Sequence, residues 1–274
     1  MSSSKQIVIS GGFDHVHSRH IRFLEEVSKL GEVIVLLWAD ETVERQTGKA
    51  PKFPLAERLY FLNAVRYVAR VIPLPESANP NALPEINGVK PELWIDEEGL
   101  LNSARMDYCR KRGLEYRVLS TLQLSGFPEP TVLPALPGRK KVIVTGSYDW
   151  FHSGHVRFFE EAGEYGDLYV VVGHDANIRL LKGAGHPLLS QAERRYMVGS
   201  IKYVRHALIS TGEGWLDADP EIRLLKPDIY VVNEDGDKGG KREYCEKNGI
   251  QYLVLKRIPA SGLPARSSTN LRGF

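Results

Sequence analysis

Two histidines three residues apart are the most chemically suggestive feature of the sequence. His152 and His155 lie in the segment Thr145 to His155, which reads T-G-S-Y-D-W-F-H-S-G-H and follows a short β-branched run. Spacing of i and i+3 places both imidazoles on one face of a helix. At a helix N-terminus, free backbone N–H groups favour an anion. Gly154 between them has no side chain to block phosphate oxygens. The pattern predicts hydrogen bonds to oxygens that gain charge in phosphoryl or nucleotidyl transfer.

Such a histidine pair has two plainer interpretations. The side chains can be ordinary helix-start residues, or they can be half of a metal site. A metal site lacks support here, because no nearby set of Cys or Glu residues completes the coordination. The phosphate interpretation is favoured by other phosphate-binding residue types in the same half of the chain.

One of these residues is Lys182, in the segment Leu181-Lys182-Gly183. We expect it on a glycine-flanked loop beyond a strand end, from which its ammonium group can reach phosphates. The alternative is a solvated surface lysine. The other residues lie in the terminal stretch Arg257 to Arg272, where Ser267-Ser268-Thr269 has the pattern of a helix N-cap. That cap lies between Arg266 and Arg272, and its alternative is a plain capped C-terminal helix.

The chain contains two copies of one pattern. Residues 7–26 match residues 142–161 at an offset of 135, and later segments match at 136 as far as Ser125-Gly126 over Ser261-Gly262. The Pro-rich stretch Pro128 to Gly138 reads as a linker. The sequence thus predicts two domains, residues 1–130 and residues 139–274.

Strand-like and helix-like segments alternate in each copy. In the second copy, the expected strands are 141–145, 168–173, 228–232 and 251–255, and the expected helices are 155–164 and 190–201. This alternation predicts parallel sheets with right-handed crossovers. Each half should be a Rossmann-like, doubly wound α/β domain whose ligands bind at the carboxyl ends of the strands.

Composition narrows the class of protein. Apolar residues make up 42% of the 274 residues and charged residues 26%, which is globular composition. A net charge of +2 gives no electrostatic indication of nucleic-acid or membrane binding. No apolar run has the length of a membrane helix or of a secretory signal, so we expect a cytoplasmic protein. Cys109 and Cys245 occupy equivalent helix positions and are expected to be buried thiols.

Together these motifs resemble the nucleotidyltransferases of the H-x-G-H type. The resemblance covers essentially all of the second half, including G-S-Y-D-W-F-H-S-G-H, L-K-G, A-E-R-R, K-P-D-I-Y-V-V-N-E-D and R-S-S-T. Within that family, the sequence looks most like the glycerol-phosphate, phosphocholine and phosphoethanolamine cytidylyltransferases. It is nearly as similar to the heptose-phosphate adenylyltransferases.

The resemblance implies roles for individual residues. His152 and His155 would stabilise the α-phosphate during in-line attack, and Lys182 would bridge the phosphates of substrate and nucleotide. Mg²⁺ would be bound mainly by the nucleotide phosphates. Arg257, Arg266, Ser268 and Thr269 would close over the β- and γ-phosphates, and Asn233, Glu234 and Asp235 would lie near the base and ribose. The remaining expected nucleotide-binding residues are Gly146, Ser147, Tyr148, Asp149, Gly154, Asp175, Arg194 and Ser267.

The first copy keeps the marks of the fold and loses those of the chemistry. Its sequence H-S-R-H has Arg19 where Gly154 stands, and its Lys49 is displaced from the position of Lys182. Thr121 replaces Arg257, and residues 130–133 replace residues 266–269. We therefore expect residues 1–130 to be a degenerate, inactive cytidylyltransferase-like domain.

The sequence predicts transfer of the nucleoside monophosphate of CTP to a small phosphorylated alcohol or sugar, with release of pyrophosphate. An adenylyltransferase that uses ATP and a sugar phosphate is the alternative within this class, and the spacing of Lys182 and Pro187 favours it slightly. A non-catalytic regulator that binds a nucleotide is the alternative outside the class of nucleotidyltransferases. Because the family commonly dimerises, we expect the halves to form a dimer-like pair, with a homodimer also open.

Overall fold

The computed structural model describes residues 5–100, 102–130, 132–268 and 271. The chain divides into two compact units, Met1–Gly126 and Phe127–Phe274, here called unit 1 and unit 2. Each unit holds one five-stranded sheet in which every strand pair is parallel. The predicted fold, two tandem Rossmann-like α/β units, is confirmed. No helix in the described ranges is long and apolar enough to cross a membrane.

Unit 1 has the strand order β3-β2-β1-β4-β5. Its strands are β1 (Gln6–Gly11), β2 (Glu32–Leu37), β3 (Arg70–Pro73), β4 (Leu93–Glu97) and β5 (Glu115–Leu119). Its helices are α1 (Ser18–Ser28), α2 (Asp40–Thr47), α3 (Leu55–Asn63) and α4 (Ser103–Arg112). A short 3-10 helix, Glu98–Leu100, follows β4.

Unit 2 repeats this arrangement in the order β10-β9-β6-β7-β8. Its strands are β6 (Lys141–Gly146), β7 (Asp167–Val172), β8 (Val204–Ile209), β9 (Ile229–Asn233) and β10 (Gln251–Leu255). Its helices are α5 (Ser153–Glu164), α6 (Asp175–Lys182), α7 (Gln191–Gly199), α8 (Asp219–Leu225) and α9 (Lys241–Lys247). Short 3-10 helices occur at Gly214–Leu216 and Glu234–Gly236.

The core of unit 2 explains why these segments take these forms. Strand β7 (DLYVVV) is buried along its whole length, as expected for a strand covered on both faces. Helix α5 buries Val156, Phe159 and Ala162, which recur at helical spacing on one face. The Ser190 side chain caps α7 by accepting a hydrogen bond from the Glu193 N–H at 3.3 Å. These packed elements fix the loops that follow β6, β7 and β9.

The two cysteines are core residues, as predicted. Cys109 and Cys245 are both free and buried. Burial raises the pKa of each thiol to about 11, so both are protonated and unreactive at neutral pH.

Candidate active site

Helix α5 begins at the histidine motif. His152 is its N-cap residue in extended backbone, and its Nδ1 accepts a hydrogen bond from the Gly154 N–H at 3.1 Å. His155 lies one turn into the helix, and the two imidazole rings stack with centroids 4.0 Å apart and planes 29° apart. The structure therefore brings the two predicted histidines together on one face of the helix start.

Gly154 is required by this ring pair. A Cβ atom at position 154 would lie 2.9 Å from both Nδ1 and Cε1 of the His152 ring. That separation is shorter than real Cβ contacts, so the ring would have to move. The missing side chain at Gly154 therefore leaves room for the His152 ring. This is in addition to the room for phosphate oxygens that the sequence predicts.

Both histidines are uncharged in this environment. Burial, with the nearby positive charges of Arg257 and Arg266, lowers the pKa of His152 to about 3. Burial and the neighbouring His152 hold the pKa of His155 well below its ordinary value. Because His152 Nδ1 accepts a hydrogen bond, the ring proton lies on Nε2. Both His152 Nε2 and His155 Nδ1 are buried without a protein partner among the described residues. This arrangement leaves a buried N–H donor available to an oxygen of a ligand.

Aromatic side chains support His155. The Phe151 ring stacks on it with centroids 5.4 Å apart and planes 15° apart, and the Tyr148 ring meets it edge-on at 5.3 Å. Tyr148 is buried and has a positive φ of 50°. A Cβ atom at Gly146 would lie 2.8 Å from the Tyr148 ring, so the turn after β6 needs glycine there. Phe151 was missed by sequence reasoning, although its place beside the motif histidine was the available signal.

The position of Lys182 differs from the prediction. It is the last residue of helix α6, not a loop residue, and Gly183 follows as the C-cap with a φ of 86°. The helix continues this far because the His174 side chain caps its start and the segment R-L-L-K consists of good helix formers. Lys182 Nζ donates to Ser147 Oγ at 2.7 Å, which places the ammonium group at the loop after β6. The lysine therefore reaches the predicted site from a helix end.

Asp149 and Arg194, both predicted nucleotide contacts, hold the loops in place. The Asp149 carboxylate accepts hydrogen bonds from the backbone N–H groups of Leu188 and Leu189, at 2.8 and 3.0 Å. Arg194 is 0% exposed and donates to the carbonyls of Ser147, Gly173 and Leu189 and to the Asp175 carboxylate. Both side chains are committed to protein partners. They join the loops after β6 and β7 to the loop before α7.

The C-terminal segment lies over the start of α5. Arg257 pairs with Asp235, and its guanidinium donates to the Arg266 carbonyl at 2.8 Å. The Arg257 N–H donates to Glu234 Oε1 at 3.3 Å. Ser268 Oγ donates to the Trp150 carbonyl at 3.2 Å, so the segment is attached to the histidine loop. Of the expected N-cap, Ser267 and Ser268 are described and form no helix, while Thr269 lies outside the described residues.

A small cavity of about 60 Å³ lies between these elements. Its lining includes Gly154, Asn233, Arg257 and Arg266, four of the residues predicted from the sequence. It also includes Arg157 and Lys256, which the sequence analysis did not select. No group of three or more His, Cys, Asp or Glu side chains in the described part of the chain is placed to hold a metal ion. Mg²⁺ bound through nucleotide phosphates stays a prediction.

Unit 1 shows the same helix start with altered chemistry. His17 caps α1, and its Nδ1 accepts from the Arg19 N–H at 3.3 Å, but the rings of His17 and His20 are tilted by 56° with centroids 4.2 Å apart. Arg19, at the place of Gly154, pairs with Glu97 at 2.8 Å. Thr47 ends α2 as Lys182 ends α6, so Thr47 is the structural counterpart of the lysine.

The supporting side chains are nevertheless kept in unit 1. Arg58 is 1% exposed and donates to the carbonyls of Gly12, Trp38 and Phe53 and to the Asp40 carboxylate. Asp14 accepts from the backbone N–H groups that correspond to those held by Asp149, at 2.9 Å each. The scaffold of the site is therefore present twice, while the residues at the positions of Gly154 and Lys182 differ.

The parallel α/β sheet with a paired-histidine helix start at its carboxyl edge is the arrangement that the resemblance to nucleotidyltransferases implied. The chain belongs to the cytidylyltransferase-like family, whose family model matches residues 8–128 and 143–273. The match includes both units. This finding confirms the resemblance inferred from the motifs, and it makes the protein a cytidylyltransferase-like nucleotidyltransferase.

Two curated relatives each match about half of this chain. A FAD synthase from Methanocella paludicola is 32% identical over 135 residues, which are 48% of this chain and 93% of the synthase. The bifunctional protein HldE from Aliarcobacter butzleri is 34% identical over 134 residues, which are 48% of this chain and 26% of HldE. The solved structure of a lipopolysaccharide core biosynthesis protein from Thermoplasma volcanium superposes with a TM-score of 0.38 at 24% identity, covering 45% of this chain and 100% of that protein.

Proposed function

We propose that unit 2 transfers a nucleoside monophosphate from a nucleoside triphosphate to a small phosphorylated acceptor and releases pyrophosphate. The observation that carries this proposal is the pair of uncharged imidazoles at the start of α5, with a buried Nε2–H that has no protein partner. Three cationic side chains surround it: Lys182, Arg257 and Arg266 are close enough to affect the pKa of one or both histidines.

The reaction follows from this arrangement. An oxygen of the acceptor phosphate attacks the α-phosphorus, a new P–O bond forms, and the bond to the β-phosphate oxygen breaks. The electron pair of that bond leaves with pyrophosphate. His152 Nε2–H donates to an α-phosphate oxygen as its charge grows, and the cations favour the transition state over the separated substrates. Mg²⁺ would neutralise the nucleotide phosphates, and no protein nucleophile takes part.

The choice of nucleotide rests on two different observations. The motifs of the second half resemble those of cytidylyltransferases, which supports CTP. The FAD synthase relatives support ATP, because FAD is the pyrophosphate-linked product of an adenylyl group and flavin mononucleotide. Flavin mononucleotide is itself a phosphorylated alcohol, so it belongs to the acceptor class predicted from the sequence.

The test is a pyrophosphate-release screen with Mg²⁺. CTP, ATP, GTP and UTP are each combined with flavin mononucleotide and with a panel of phosphorylated alcohols and sugars. We expect one nucleotide and one acceptor to give turnover that His152→Ala lowers at least about 100-fold. Nucleotide binding by calorimetry without any pyrophosphate release would support the regulatory alternative. Release that persists undiminished in His152→Ala would contradict the proposed site.

We further propose that unit 1 does not catalyse this reaction. The Arg19–Glu97 pair occupies the helix start, and Thr47 cannot supply the positive charge of Lys182. Turnover that a folded chain with His155→Ala retains, and that the added substitution His20→Ala abolishes, would show that unit 1 is active.

A further inference from the structure

Unit 1 contains a cavity where unit 2 has its proposed active site. The cavity has a volume of about 330 Å³ and lies at the carboxyl ends of β1 and β4. Its lining includes the aromatic side chains Phe13, Phe23 and Trp38 together with the polar residues His20, Glu97 and Arg105. Small-molecule pockets typically have volumes from about 300 Å³ upward. The cavity therefore has room for one compact organic molecule.

The charges of this cavity do not suit a triphosphate. Its lining carries the carboxylates of Asp96 and Glu97 against the single guanidinium of Arg105. Arg105 is bound to Asp96, and the neighbouring Arg19 is bound to Glu97. Thr47, in the place of Lys182, donates its hydroxyl to the Val43 carbonyl at 2.9 Å. No cation in the described lining is left uncommitted, so a polyanion would find no unpaired positive charge there.

Hydrogen-bond donors nevertheless remain in the cavity wall. His20 Nδ1 accepts from the His17 N–H at 3.3 Å, which leaves its proton on Nε2. Burial and the neighbouring histidines lower the pKa of His20 to about 3, so the ring is a neutral donor at pH 7. Arg105 is 4% exposed, and its Nε is buried without a protein partner among the described residues.

The buried ion pair in this wall is particular to unit 1. The Tyr116 hydroxyl donates to Asp96 at 2.7 Å, and the Arg105 guanidinium lies 4.9 Å from the centroid of the Trp94 ring. At the offset of 136, unit 2 has Val232 and Lys241 instead of Asp96 and Arg105. Burying two charges costs free energy unless further polar contacts satisfy them. The cavity of unit 1 thus differs from the matching region of unit 2 by more than missing catalytic groups, because the buried Asp96–Arg105 pair has no equivalent there.

We propose that this cavity binds one uncharged nucleoside. A flat base can stack among Phe13, Phe23 and Trp38, its ring nitrogens or carbonyl can accept from His20 and Arg105, and an amino or hydroxyl group can donate to Glu97. The absence of uncommitted positive charge in the described lining disfavours the phosphorylated forms of the same compound. This proposal rests on the residues of unit 1 and does not depend on the activity proposed for unit 2.

The test is isothermal titration of the full chain with adenosine, cytidine, guanosine and uridine, in the presence of saturating ATP and CTP with Mg²⁺. We expect saturable binding of at least one nucleoside, with one molecule per chain, that the triphosphates do not displace. His20→Ala should weaken this binding about tenfold, the usual effect of losing one buried hydrogen bond. The matched variant in unit 2, His155→Ala, should leave the dissociation constant within about two-fold.

Two further measurements keep the test decisive. Circular dichroism checks that His20→Ala is folded, and Glu97→Gln provides a second variant that alters the acceptor side of the cavity. No saturable binding by any of the four nucleosides overturns the proposal. Binding that His155→Ala abolishes and His20→Ala leaves intact overturns it too, because the nucleoside then lies in unit 2. Displacement by ATP or CTP of a His20-dependent signal contradicts the exclusion of phosphates.

Discussion

Replacing Gly154 by alanine should separate the ring geometry of the proposed site from the stability of its helix. The new Cβ would start 2.9 Å from the His152 ring, so the ring must turn away. Unit 1 indicates how far the ring turns, because Arg19 carries a Cβ atom at the equivalent position. There the histidine planes are 56° apart, compared with 29° in unit 2. The turn moves Nε2–H away from its present direction while the N-cap hydrogen bond persists.

We expect Gly154→Ala to lower kcat/KM about 100-fold, a loss of about 2.7 kcal/mol of transition-state stabilisation. Misdirected hydrogen-bond donors commonly have effects of this size. The free energy of unfolding should change by less than about 1 kcal/mol, because alanine is the better helix former and offsets the new contact. Pyrophosphate release gives the first quantity, and urea denaturation gives the second.

The matched control is Gly163→Ala in the same helix. A Cβ there meets Tyr203 at 3.7 Å, which is ordinary contact, so activity should stay within about two-fold of wild type. If Gly154→Ala is as active as Gly163→Ala, the stacked arrangement of the rings is irrelevant to catalysis. If both variants lose activity equally, the cause is a general effect on α5 and the argument from ring geometry fails.

Four other substitutions and conditions test the same account. His155→Ala should lower kcat about 100- to 10,000-fold and leave the nucleotide affinity, measured by calorimetry, within a few-fold, because the ring acts on charge that develops in the transition state. An unchanged kcat would exclude His155 from the mechanism. Lys182→Ala should raise KM for the phosphorylated acceptor and also lower kcat, about tenfold each, in steady-state assays, because a bridging ammonium binds both states; unaltered kinetics would make Lys182 a surface residue. His17→Ala should lower stability by about 1 kcal/mol through loss of an N-cap and leave kcat/KM within about two-fold; abolished turnover in a folded chain would assign activity to unit 1. Because the pKa values of His20 and His152 are lowered to about 3 from 6.5, the unfolded chain binds more protons in that range. The free energy of unfolding should therefore fall as the pH drops from about 6.5 toward 3, by up to about 1.4 kcal/mol per pH unit for each histidine. Urea titrations at pH 7 and pH 5 check this, and equal stabilities would contradict it.

The fold and the histidine pair were predictable from the sequence because both depend on local pattern. The internal repeat fixed the number of units, and alternation of buried strands with helices fixed the parallel sheets. The motif around His152 placed both rings at a helix start for the same reason. The helix, strand and motif inferences each use residues close together in the chain, and the repeat compares two such patterns 135 residues apart.

Other features depend on contacts between distant segments, and the sequence did not reveal them. Lys182 was expected on a loop, because the glycine after it was visible but the continuous helix before it was not. Arg194 and Asp149 were predicted to bind nucleotide, yet their partners include backbone groups of loops brought together only by folding. The cavity of unit 1 joins residues from six separate segments, so its altered chemistry could not be recognised from substitutions at single motif positions.

The arginine clamp, Arg58 in unit 1 and Arg194 in unit 2, has a consequence for how a duplicated gene can diverge. Each guanidinium is bonded to carbonyl oxygens of three separate loops, and its removal would leave those buried acceptors unsatisfied. The hydrogen bonds of the Arg194 guanidinium in the described part of the chain go to neither the histidine pair nor Lys182. Substitutions outside the clamp can therefore change the pocket of one copy without unfolding it, so two copies on one framework can come to bind different ligands.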